Sequence, residues 1–208
     1  MDRVEARTGC GMTQVRVLGR DEFAAHVDDV ARLRIAVFRE WPYLYDGDLD
    51  YERDYLGTYL ASPASVLVIA EVDGRVVGAS TGMPLVDEAA DFAAPYARAG
   101  IDPTAVFYFG ESVLLPEHRG RGIGHRFFDV REAHAASLGR FGFTSFCAVV
   151  RADDDPRRPI ASRPLDAFWN GRGYRRRPDI VTTIAWKEIG EQAATEKPLV
   201  AWLRPLGA

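Results

Sequence analysis

Phe107-Tyr-Phe-Gly-Glu-Ser-Val-Leu-Leu-Pro-Glu-His-Arg-Gly-Arg-Gly-Ile-Gly-His-Arg-Phe127 is the most informative stretch of this 208-residue chain. It starts inside an apolar run, 106–115, that reads as one long strand. It then places glycines at alternate positions, Gly120, Gly122 and Gly124, and passes straight into a helical pattern. Glycine lets backbone amides approach a ligand with no Cβ in the way. The first-turn amides of a helix lack internal acceptors and sit at the positive end of its dipole. Together these features make a cradle for a phosphate or pyrophosphate, and Arg119 and Arg121 add charge. The bland alternative is a glycine-rich connection that binds nothing. Two other phosphate loops are excluded by spacing. G-x-x-x-x-G-K-[ST] is absent, and His125, Arg126 and Phe127 follow where a dinucleotide fingerprint requires its third glycine.

Upstream, Gln14–Leu18 alternates as a short strand. Asp21 is placed to cap a helix whose stripe is Phe23, Val27, Val30 and Val37, and Pro42 ends it. A second helix is expected over 50–61. Strands over 66–71 and 75–81 flank Asp73-Gly74, a hairpin signal because both turn residues need positive φ. Residues 85–104 are an Ala-rich, acidic connection with room for one short helix. Downstream come a helix over 123–138 ending at Gly139, a buried strand over 143–150, a short helix over 165–172 ending at Gly173, and strands over 180–186 and 199–203. The order β-α-α-β-β-β-α-β-α-β, without repeats, predicts one α/β domain over 14–208 with a mixed, mostly antiparallel twisted sheet flanked by helices, behind a loose tail over 1–13. Met12 is an alternative start.

Composition narrows the function. Hydrophobic residues at 47% and charged residues at 27% suit a globular domain, and a net charge of −4 argues against a nucleic-acid partner. No apolar run nears the roughly 20 residues of a membrane span, and the N-terminus lacks the apolar segment of a secretory signal. Cys10 and Cys147 make no disulfide framework, so a cytoplasmic location is expected. His26, His118, His125 and His134 share no metal spacing, and no metal is expected.

The segment Arg119-Gly-Arg-Gly122-Ile-Gly124 after a strand and before a helix, with Pro116 ahead of it, resembles the signature of the GNAT superfamily of N-acetyltransferases, and the element order over 14–186 agrees. The resemblance implies acetyl-CoA as cosubstrate and a small-molecule or peptide amine as acceptor, with self-association into a homodimer left open. It places the pantetheine arm against the backbone of Val113, Leu114 and Leu115. The pyrophosphate falls on the amides of Arg119, Gly120, Arg121, Gly122, Ile123 and Gly124, with His125 adjoining. It also implies a base four or six residues before the acetyl-contacting position, which here are Gly110 and Tyr108. Glycine has no side chain for that task. Glu111 is the stronger base chemically. On simple alternation it shares an apolar face with Phe107, Phe109, Val113 and Leu115, where an unpaired carboxylate is costly. Either a bulge turns it into the site or an arginine partners it.

The family's usual thiolate acid, a tyrosine four residues before the last glycine of the short helix, is Trp169 here, which reads as packing with Phe168. Either another group such as Tyr174, or water, then protonates the thiolate, or the thiolate leaves unassisted. Ser162 stands where an asparagine is common. Arg157, Arg158 and Arg163 either meet the 3′-phosphate or are solvated. Trp41, Tyr43, Tyr45, Asp46 and Asp48 form an aromatic and acidic loop suited to an amine, or else a plain turn. The rival readings are a non-catalytic acyl-CoA-binding or regulatory domain and a dinucleotide-binding domain.

Overall fold

The computed structural model describes residues 13–207. The expected tail, with Cys10 and Met12, lies outside them except for Thr13. The elements are β1 (Thr13–Val17), α1 (Arg20–Phe38), α2 (Leu49–Ala61), β2 (Val66–Val72), β3 (Arg75–Pro84), α3 (Ala90–Arg98), β4 (Val106–Tyr108), β5 (Ser112–Leu114), α4 (Ile123–Ser137), β6 (Phe143–Val149), α5 (Asp166–Gly171), β7 (Arg175–Trp186) and β8 (Thr195–Pro205).

The hairpin between β2 and β3 forms as its turn chemistry requires. Val72 faces Arg75 across a two-residue loop, with φ +50° at Asp73 and +74° at Gly74. Asp21 lies inside the first turn of α1, whose N-cap is Gly19; its charge meets the helix dipole instead of capping. The capping role falls to Asp48, whose carboxylate accepts from the Tyr51 amide at 2.9 Å and starts α2. The acidic connection contains α3, and the two final strands extend beyond the expected ranges.

The strands form one sheet ordered β1-β2-β3-β4-β6-β8-β7, with β5 pairing β3 off that path. Every pair is antiparallel except β4 with β6. Alternation along β2 assigns the faces. Val66, Val68 and Ala70 pack with Phe127 and Phe128 of α4, whereas Leu67 and Ile69 pack with Phe23 and Val30 of α1 and Leu56 of α2. A third cluster joins Phe92 and Tyr96 of α3 to Tyr108, Cys147 and Ile180.

The run over 106–115 is not one strand. It divides into β4 and β5 around Gly110 and Glu111, because the backbone there gains one residue relative to β3. Met83 pairs with Tyr108, but Ser80 pairs with Ser112, a one-residue slip.

Candidate active site

The slip is a β-bulge. Gly110 and Glu111 together oppose Thr81. The Gly110 amide donates to the Thr81 carbonyl and the Thr81 amide donates to the Glu111 carbonyl, each at 3.2 Å. Gly110 is required by packing, since a Cβ there would lie 1.7 Å from the Tyr59 hydroxyl. The extra residue shifts the side-chain phase by one. Phe107 and Phe109 stay on the α4 face, but Val113 joins the α1–α2 face, and Glu111 turns with it toward Arg34 of α1. The expectation that Glu111 shares a face with Phe107 and Phe109 is therefore corrected. The two escapes weighed for its carboxylate, a bulge and an arginine partner, occur together.

Glu111 is 5% exposed, Arg34 7% and Glu52 of α2 1%. Arg34 Nη1 stands 2.5 Å from Glu111 Oε2 while Arg34 Nε donates to Glu52. The guanidinium also lies 4.2 Å from the Tyr55 ring centre and 5.0 Å from that of Phe38. One buried cation thus serves two buried carboxylates. Neither oxygen of Glu111 has a well-aligned hydrogen-bond donor among the described residues. Burial raises the Glu111 carboxyl above the ordinary range, and Arg34 and the Thr81 hydroxyl pull it only part of the way back. A carboxylate with raised affinity for protons, held beside a fixed cation, has the chemistry of a general base.

Tyr108, at the end of β4, is 4% exposed, with its ring 5.4 Å from Phe92. Burial holds it well above the usual phenol range, so it stays protonated. Cys147 is packed as expected, its thiol pushed up to about 12 by burial.

The aromatic and acidic loop divides. The Tyr43 ring lies 4.4 Å from Phe38 and 5.9 Å from Trp186, and burial pushes its phenol up to about 12. Burial raises the Tyr45 phenol above its usual range, and the charge of Glu52 adds to the shift. Trp41 instead stacks under Arg151 at 5.7 Å, and the Asp46 carboxylate takes Lys187 at 2.9 Å and Arg39 at 3.4 Å.

Beyond the bulge the sheet opens. Phe109 still donates to the Ser145 carbonyl at 2.7 Å, but β5 pairs with β3 alone, so Ser112–Leu114 no longer touches β6 as a strand. Five and seven residues past Leu115, Gly120 and Gly122 take φ of +74° and +79°, and a Cβ at either would meet nothing within 4 Å. Gly122 caps α4, and the amides of Ile123, Gly124 and His125 have no intrahelical acceptor. The Arg119 amide is already bonded to the Pro116 carbonyl. Its side chain holds Glu40 at 2.9 Å and the Leu114 carbonyl at 3.1 Å, while Arg121 donates to the Glu117 carbonyl. His125 packs edge-on against Phe168 at 4.8 Å. The open surface of the loop is thus main chain, and the two arginines hold its shape.

Trp169 packs between Phe146 and Trp202, at 5.1 and 5.0 Å. The Tyr174 hydroxyl is tied up in the core, 3.0 Å from both Thr144 and Glu132. Arg157 is held by Asp155 and Glu188. Sequence reasoning passed over Arg34 and Glu52. The signal was present, because each stands at three- or four-residue spacing within a stripe of buried residues, Val30 to Arg34 in α1 and Glu52 to Leu56 and Tyr59 in α2.

No helix among the described residues is long and apolar enough to cross a membrane, and no group of three potential metal ligands occurs among them. No curated protein matches the chain. Solved structures with the same fold include the ribosomal-protein-alanine N-acetyltransferase from Brucella melitensis, 12% identical with TM-score 0.60 over 93% of this chain and 99% of that one. An aminoglycoside 6′-N-acetyltransferase complexed with coenzyme A is 15% identical, with TM-score 0.58 over 94% and 98%. The protein yncA from Salmonella typhimurium, solved with its cofactor acetyl-CoA, is 11% identical, with TM-score 0.57 over 95% of each chain. The model of the acetyltransferase (GNAT) family matches residues 30–163, a span that holds the Arg34–Glu52–Glu111 cluster, the open sheet and the glycine loop, and the chain belongs to that family.

Proposed function

We propose that this chain transfers the acetyl group of acetyl-CoA to an amine of a small molecule or peptide by direct attack with both substrates bound, and that Glu111 is the base. The observation that carries this reading is the bulge. One extra residue both ends the β4–β6 pairing and turns a buried carboxylate toward Arg34, nine residues ahead of Gly120 in the chain.

The residues fit the cofactor. The open space at Gly120 and Gly122 and the free first-turn amides suit a pyrophosphate, and the side of β5 turned away from β3 suits an extended arm, although the Leu115 amide is given to Val77 and the Leu114 carbonyl is held by Arg119. Bound there, the cofactor supplies an activated thioester. This chain's residues do the rest. Glu111 takes a proton from the acceptor's ammonium so that the nitrogen lone pair can form the new C–N bond. Arg34 holds the carboxylate in place, and Tyr43 and Tyr45 wall the approach. As the C–S bond breaks and the electron pair leaves with sulfur, the second proton of the attacking nitrogen would pass through water to the thiolate, since the Trp169 indole is too weak an acid to supply one. The packed Trp169 is also the one observation favouring the second reading, a domain that binds CoA without catalysis. Product formation across a panel of amines, set against CoA affinity, separates the two.

Binding is expected to raise the melting temperature. At a CoA concentration 100-fold above Kd the native state gains about 2.7 kcal/mol, visible by calorimetry or dye fluorescence. No shift at millimolar CoA would remove the cofactor assignment. Gly124 supplies a cleaner probe than its neighbours. A Cβ there makes only an ordinary 3.7 Å contact with Phe168. Gly124→Val is therefore expected to keep the unliganded Tm within about 3 °C while weakening CoA by about tenfold or more. Gly122→Val adds left-handed strain of about 1–2 kcal/mol, so its loss of binding cannot be read alone. A Gly124→Val protein with unchanged CoA affinity makes that glycine structural.

A further inference from the structure

Arg131 sits in the third turn of α4 and is 1% exposed. The buried stripe of that helix runs Ile123, Phe127, Arg131, Ala135 at strict four-residue spacing, so helix geometry places a guanidinium where a core side chain belongs. No carboxylate pairs with it among the described ion pairs. Its charge is satisfied by oxygen dipoles. Nε donates to the Phe127 carbonyl at 3.1 Å, Nη1 to the Thr81 carbonyl at 3.1 Å and to the Glu111 carbonyl at 3.0 Å, and Nη2 to Ser112 Oγ at 2.7 Å. The rings of Phe109 and Phe128 lie 4.2 and 5.0 Å from the guanidinium carbon. Burial pulls the group down only to about 10, so it is charged at neutral pH.

These partners are not a random set of core oxygens. Thr81, Glu111 and Ser112 are the residue opposite the bulge, its second residue and the first residue of β5. The two carbonyls are also those that close the bulge's own backbone pairing. A rigid planar fork reaching both carbonyls and the Ser112 hydroxyl fixes the point where the strand leaves β6. The same helix begins at Ile123, about 12 Å away along its axis.

We infer that Arg131 is a positioning residue that locks the Gly110–Glu111 bulge to the cofactor helix, so that one rigid element sets both the opening of the sheet and the aim of Glu111. This rests on the acetyltransferase reading above. It implies that Arg131 matters to the arm of the cofactor and to turnover, and not to the nucleotide end, which the helix N-terminus receives by itself.

The test compares two ligands on wild type, Arg131→Met and Arg131→Lys. They are adenosine 3′-phosphate 5′-diphosphate, the nucleotide half of CoA, and acetyl-CoA. For Arg131→Met the nucleotide half is expected to bind within about twofold of wild type. The extra affinity of acetyl-CoA over that half should fall about tenfold or more, and kcat about 10²-fold, the scale for a reacting group displaced by about 1 Å. Arg131→Lys keeps the charge but not the fork and should lie between. If Arg131→Met does not fold, the same split read on Arg131→Lys carries the test. A folded variant that keeps both the acetyl-CoA advantage and kcat overturns the inference, as does a parallel loss of affinity for both ligands, which marks general loosening. Wild-type protein that binds acetyl-CoA no better than the nucleotide half, or acetylates no amine, overturns the functional reading and this inference with it. An active wild type with an indifferent Arg131→Lys overturns the inference alone.

Discussion

Glu111→Gln is expected to lower the acetylation rate by about 10²–10⁴ at neutral pH with CoA affinity nearly unchanged. Glutamine keeps the shape of the side chain and removes only its basicity. The loss in stability should be modest, about 1–3 kcal/mol, because Arg34 retains Glu52 as a counter-ion. The pH profile supplies a second signature. Burial raises the Glu111 carboxyl, with Arg34 opposing, and a base works only when deprotonated. Wild-type kcat should therefore rise with pH through a limb above the ordinary glutamate range, and the Gln variant should lack that limb. Melting curves and steady-state rates on one preparation separate the alternatives. If stability falls while the rate per folded molecule holds, Glu111 is a structural partner of Arg34, and attention moves to a proton relay through Tyr108, with Tyr108→Phe as its test.

Arg34→Met is expected to have the largest effect on stability, about 3–5 kcal/mol lost at neutral pH. The cost arises because two carboxylates with 1% and 5% exposure, Glu52 and Glu111, lose the one cation that contacts both. The pH dependence has a definite sign. Removing Arg34 removes a strong influence holding the Glu111 carboxyl down, so its folded value rises further above the unfolded one. Such a group contributes most favourably below its unfolded pKa, and that contribution is lost as pH rises through the folded value. The deficit of the variant should accordingly shrink in mildly acidic buffer and grow toward pH 8. Urea denaturation at several pH values measures it. A deficit that is flat with pH would mean that Arg34 contributes by packing on Tyr55 and Phe38 and not by charge.

Much of this architecture was legible residue by residue. Asp73-Gly74 announced its hairpin because few pairs accept two positive φ angles in succession. The glycine loop and the start of α4 were readable because spacing alone identifies a helix N-terminus that can take an anion. The packed states of Cys147 and Trp169 followed from their apolar neighbours. These are local properties, carried by φ, by side-chain volume and by periods of two and 3.6, and they need no knowledge of what lies across the sheet.

The position of Glu111 was of another kind. Alternation put it on the wrong face, because a bulge is invisible in a period-two pattern until the opposing strand is known. The bulge forms where it does because the Tyr59 hydroxyl from α2 leaves no room for a Cβ at Gly110, Thr81 from β3 supplies the pairing, and Arg131 from α4 fastens it. Arg34, Glu52 and Arg131 were each written into buried stripes, a sign of buried charge, but a stripe does not say which charges meet. Turn chemistry and periodicity carried most of the elements, their order and the family signature, though not the break at Gly110 and Glu111. Which carboxylate faces which cation, and that its affinity for protons is raised, came from the fold alone, because those depend on groups brought together from four separate elements and on the water excluded between them.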